Sequence, residues 1–136
     1  RKAMVSVAKE FKVKKLRLPS EKGFSLNSQL WKKCLIDVFV PATKRLYKKN
    51  GLITTQEFYG ILNTGGFSVS VLEHFLKQMK DSAEVMVHPG KESSYSPLKG
   101  DFLVKAKHKE LAALVDPGAK DLLKKYNVKL VSYRDL

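Results

Sequence analysis

Four short runs of strand-forming residues, 13–18, 57–60, 84–88 and 128–132, are separated from one another by segments whose apolar residues recur at helical spacing. This alternation constrains the fold most, because strands joined through helices cannot fold back as hairpins and instead pair in parallel under helical crossovers. The fold class it implies is α/β, with parallel strands alternating with helices in one unit over residues 1–136. In sheets of this kind ligands gather beyond the carboxyl ends of the strands. Those ends here carry Arg17, Phe58 and Tyr59, His88, and Ser132 with Tyr133, so polar and aromatic groups would converge on one rim.

The helical segments are read from their stripes and stop signals. Met4, Val7, Ala8 and Phe11 form a one-sided stripe, so the chain opens in mid-helix. Leu30, Trp31, Cys34, Leu35, Val38, Phe39, Ala42 and Leu46 keep the period for about five turns. Pro41 is expected to kink that helix or start a second one, and Asn50-Gly51 to end it. Ser68 or Ser70 can cap the next helix, and Ser70 with Glu73 fits a capping box ahead of Leu72, Phe75, Leu76 and Met79. Residues 91–101 lack periodicity and read as a loop. Leu111, Leu114 and Val115 then mark a short helix, and Asp116-Pro117 caps and opens another through Leu122, Leu123 and Tyr126.

A formal net charge of +13 would attract nucleic acid or anionic surfaces, which makes a basic nucleic-acid-binding or interaction module without catalysis the alternative reading. Only Arg1, Arg17, Arg45 and Arg134 among the 26 basic residues are arginines, the side chains suited to phosphate forks and base edges. The rest are lysines, many in pairs such as Lys48-Lys49, a pattern of solvated helix faces. No apolar run is long enough for a membrane helix, and Arg1-Lys2-Ala3-Met4 does not begin a signal peptide. The single cysteine, Cys34, lies among apolar helical residues and reads as a buried, inert thiol, which with the missing leader points to a cytoplasmic protein.

The stretch Ala83-Glu-Val-Met-Val-His88-Pro-Gly90 delivers an imidazole to the far end of a strand and then reverses the chain. His88 is the candidate catalytic group on that ground, against the alternative of a packed, hydrogen-bonded structural histidine. His74 and His108 sit in helices beside Lys or Glu and read as solvated. The three histidines are too dispersed to form a metal site by spacing, and no HExxH, paired CxxC, Walker loop, GxGxxG or GxSxG occurs. Arg17 is an exposed charge, a salt-bridge partner or an orienting group for a carboxylate across the rim. Glu84, at the opposite end of its strand from His88, reads as structural.

Glu84-Val-Met-Val-His88-Pro-Gly90, the ending Val128-Lys-Leu-Val-Ser-Tyr-Arg-Asp-Leu136, and Leu16-Arg17-Leu-Pro19 followed by Glu21 resemble the C-terminal half of the YdjC-like (ChbG) carbohydrate deacetylases. Thr54-Thr-Gln-Glu-Phe58-Tyr-Gly60 and Gly65-Gly-Phe-Ser68 are similar to that family too. The pattern departs at Lys107-His-Lys-Glu110-Leu111, where the family has arginine first.

The resemblance implies about half of a (β/α) barrel-like fold and a hydrolytic enzyme that removes acetyl groups from N-acetylated sugars or chito-oligosaccharides. It implies a divalent metal, magnesium or zinc, held by an aspartate and two histidines whose motifs would precede this chain, leaving it inactive alone. Such a metal polarises the acetyl carbonyl and lowers the pKa of water, while an imidazole protonates the leaving amine. On this resemblance His88 takes the last role, Arg17 orients a carboxylate, and Phe58, Tyr59 and Tyr95 line a sugar cleft. An unpaired strand edge would also favour a homo-oligomer.

Overall fold

Parallel pairing is realised between two short strands, β1 (Glu57–Tyr59) and β2 (Ala83–Val85), in the computed structural model, which describes residues 1–22, 30–91 and 101–136. Glu57 faces Ala83, Phe58 faces Glu84 and Tyr59 faces Val85. Around this sheet lie helices α1 (Lys2–Glu10), α2 (Leu30–Lys49), α3 (Val69–Gln78), α4 (Asp101–Val115) and α5 (Pro117–Lys125). The mixed α/β class and the parallel sense are as the alternation implied. No closed barrel is evident among the described residues.

Two of the four expected strands do not form, and their surroundings explain why. A strand exists only where a neighbour receives its main-chain groups. Residues 13–18 find one parallel bridge, Lys15 to Ile53, and Glu21 makes another with Phe58. Residues 128–132 pair with no strand, leave Leu130 76% exposed, and end in a turn that Asp135 closes on Ser132. The stretch ending at His88 is paired over 83–85, and the last rung is Met86 N–H to the Tyr59 carbonyl at 2.8 Å. Beyond it Gly60 turns the first strand away, with φ of +110°.

The main core joins Tyr59 of β1 with Phe67, with Leu72, Phe75 and Leu76 of α3, and with Ala113 and Ala119 of α4 and α5. Tyr59 and Phe75 stack with ring centroids 4.8 Å apart, an arrangement worth about 0.5–1.5 kcal/mol beyond the area buried. A second cluster joins Val5, Leu18 and Tyr47, with Leu16, Val40, Leu46 and Leu52 against it.

Helix α2 runs unbroken through Pro41. A proline removes one rung of the ladder, and here it neither stops nor restarts the helix. The face that α2 buries carries Lys33, Thr43 and Tyr47, with the Lys33 ammonium 2.5 Å from Asp37. Its apolar stripe of Trp31, Leu35, Val38 and Phe39 is consequently exposed, and so is Cys34, which is not the buried thiol that its neighbours suggested.

Helix α3 is capped by Ser68, whose hydroxyl accepts from Val71 N–H at 3.3 Å. The Ser70–Glu73 box is not used. Glu73 instead accepts from the Lys125 ammonium at 2.9 Å and the Tyr126 hydroxyl at 3.0 Å, tying α3 to the end of α5. Ser68→Ala is therefore expected to lower stability by about 0.5–1 kcal/mol in urea denaturation, with Ser70→Ala close to neutral. Asp116 caps α5 as the sequence suggested, accepting from Gly118 N–H at 2.7 Å.

Candidate functional site

The His88-Pro89-Gly90 turn follows β2 and is seated on α4 by main-chain bonds. His88 N–H donates to Glu110 at 2.5 Å, and Gly90 N–H donates to the Lys107 carbonyl at 3.2 Å. Lys107 thus meets this turn through its main-chain carbonyl. The backbone of His88 is fixed while the residue itself stays exposed. An exposed imidazole on a tethered backbone can reach a ligand and exchange a proton with it.

The loop 60–66 after β1 is held by two buried carboxylates. Glu21, 5% exposed, accepts from Gly60 N–H at 3.0 Å and Leu62 N–H at 2.9 Å. Glu110, 1% exposed, accepts from Gly65 N–H at 2.8 Å with the oxygen that His88 does not use. Glu57 is buried as well, accepting from Lys80 N–H at 3.0 Å and the Tyr59 hydroxyl at 3.3 Å. Burying a carboxylate is costly unless its oxygens are satisfied, and main-chain N–H donors do that here.

Arg17 occupies a separate cluster at the start of β2. Its Nε donates to Glu84 Oε1 at 2.5 Å, its Nη2 also meets that oxygen, and the Tyr133 hydroxyl donates to the other oxygen of Glu84. The guanidinium also lies 5.7 Å from the centroid of the Phe58 ring. Of the roles open to it in the sequence, Arg17 fills that of a salt-bridge partner, and Glu84 joins 16–18 and 132–134 to the sheet. Three residues separate Glu84 from His88, a span of four chain steps that cannot exceed about 14 Å. Arg17 and His88 therefore attach to opposite ends of one short stretch.

Phe58 is 1% exposed and Tyr59 6%, so the fold packs both rings inside. Tyr95 lies outside the described residues. His74 and His108 are exposed on α3 and α4, and His74 Nε2 is 2.7 Å from Gln78 Nε2. Among the described residues no group of three or more His, Cys, Asp or Glu could hold a metal ion.

A family model described as "YdjC-like protein" matches residues 1–125. The chain belongs to the YdjC-like protein family. The expectation that the likeness is to a C-terminal half only is corrected by this match, in which the family domain spans almost the whole chain. No curated protein and no solved structure matches the chain significantly. No described helix is long and apolar enough to cross a membrane.

Two phenols of this YdjC-like chain are perturbed. Burial first, then the neighbouring Glu57 carboxylate, pushes Tyr59 up to about 12. Tyr133 is also pushed up to about 12, by burial first and then by its bond to Glu84, with Arg17 opposing. A pKa raised in the folded state adds stability that is fully present below the ordinary phenol value and lost as the pH climbs through the folded one. Ultraviolet titration is expected to show Tyr59 and Tyr133 ionising near pH 12, with stability falling between about pH 10 and 12.

Glu21 and Glu110 enter the sequence reading only as members of family-like motifs, and their roles as buried acceptors were not read there. For Glu110 a signal existed: Ala106, Glu110 and Ala113 share the buried face of α4, so an acid occupies a position where the helical period calls for an apolar residue. For Glu21, in a turn-rich segment, no periodicity was available to read.

Proposed function

We propose that this YdjC-like chain serves the hydrolytic removal of acetyl groups from N-acetylated sugars or chito-oligosaccharides, with His88 as the general acid that protonates the departing amine. The observation that carries the reading is an exposed histidine whose main chain is locked to α4 at the end of β2. Family membership supports the reaction class. In this reading Arg17, paired with Glu84 at the other end of the stretch that leads to His88, borders the sugar-binding side, and the buried Phe58 and Tyr59 act as support and not as exposed lining. What favours it is the Arg17–Glu84 pair, with the guanidinium 5.7 Å from the Phe58 ring. Tyr95 is assigned to the sugar-binding side.

The described side chains do not fit the divalent metal of the proposed reaction, magnesium or zinc, because they offer no ligand cluster. The role given to His88 is accordingly confined to holding a proton and delivering it to nitrogen. Release of acetate from N-acetylated chito-oligosaccharides tests the reaction. No acetate, together with salt-dependent retention on a polyanion, would favour the basic binding module, whose support is the +13 net charge.

A further inference from the structure

Resting on the proposed role of His88, we infer that Glu110 is a positioning residue that sets the place of His88 for proton transfer. Glu110 is the most completely buried ionisable group among the described residues, at 1% exposure. Its two oxygens are divided between two segments distant in sequence: Oε2 takes the His88 N–H, and Oε1 takes the Gly65 N–H. One carboxylate on α4 therefore fastens the end of the β2 stretch to the loop that follows β1.

Purely structural burial would be served by an apolar side chain, since Ala106 and Ala113 occupy the same face. What an apolar residue cannot do is hold two main-chain donors at once. Glutamine keeps the volume and one acceptor but turns an N–H toward the second donor. It is the substitution that breaks the clamp with least change of shape.

Three measurements on the full chain test this. In the unmodified protein the His88 amide is expected to exchange at least about tenfold more slowly than an unbonded exposed amide, as suits a hydrogen bond to a charged acceptor. Fast exchange at both His88 and Gly65 would overturn the clamp even if Glu110→Gln proved unfoldable. Glu110→Gln is expected to speed that exchange and to lower kcat for acetate release by about 10- to 100-fold with KM little changed. In a His88→Ala background the same substitution is expected to cost nothing more, because its effect passes through the imidazole.

Losses that multiply in the double variant would show that Glu110 acts elsewhere and would overturn the inference. Full turnover in Glu110→Gln beside a slowed His88→Ala defeats the positioning role alone. Full turnover in His88→Ala defeats the general-acid role of His88 and this positioning role with it, while leaving the deacetylation reaction standing.

Discussion

His88→Ala is expected to lower the turnover of an N-acetylated chito-oligosaccharide by roughly 100- to 10,000-fold, the range that a positioned general acid contributes. In barrier terms that is about 3–5 kcal/mol. The fold should tolerate the change, because the side chain is exposed and the bond to Glu110 is made by the backbone, which alanine retains. His88→Gln offers hydrogen-bonding groups but no titrating proton, so it should be as slow as alanine. Acetate release per mole of folded protein is the measurement, with the circular dichroism spectrum as the check on folding. Turnover within twofold of the unmodified protein in either variant would remove the assignment.

The place of His88 just beyond a strand was legible because strand, imidazole and Pro-Gly follow one another directly along the chain, whereas its proposed role as general acid came from the family resemblance. Local signals held elsewhere too: the Asp116-Pro117 cap and the stop at Asn50-Gly51 depend on a few neighbouring residues. What the sequence could not convey was pairing. Residues 128–132 have the composition of a strand and no strand beside them, while 57–59 and 83–85 pair across the whole of α3. Strand propensity describes a residue's fit to a pleated surface, and the presence of that surface is a tertiary fact. Cys34 went astray for a related reason. The apolar stripe of α2 was visible, but the face that packs is the one carrying Lys33, Thr43 and Tyr47. Arg17 and Glu84 are 67 residues apart, and the sequence offered each a choice of partners that only the fold narrows. Glu110 was open to reading as an acid inside an apolar stripe, yet its purpose appears only when Gly65 and His88 are seen to share it.

Gly60→Ala is expected to be the most damaging glycine-to-alanine change among the described residues, costing roughly 2–4 kcal/mol through backbone strain and overpacking together. Gly60 sits at φ +110°, where L side chains are strained, and a Cβ built on it would lie 2.3 Å from the Met86 carbonyl oxygen. Neither side can yield easily. Met86 is held to Tyr59 by the last rung of the sheet, and Gly60 N–H is held by the buried Glu21 carboxylate. Gly51 supplies the control, since it also has positive φ, at +66°, but nothing lies within 4 Å of its Cβ position. Gly51→Ala should therefore pay the conformational penalty alone, about 1 kcal/mol. Urea denaturation of the two variants separates the contributions. If both lose the same amount, the close approach of Gly60 to Met86 is not a constraint, and the seating of the His88 turn against loop 60–66 is looser than these contacts imply. A larger loss at Gly60, together with faster amide exchange at His88, would instead tie the exit of β1 to the placement of the imidazole through Glu21, Gly65 and Glu110.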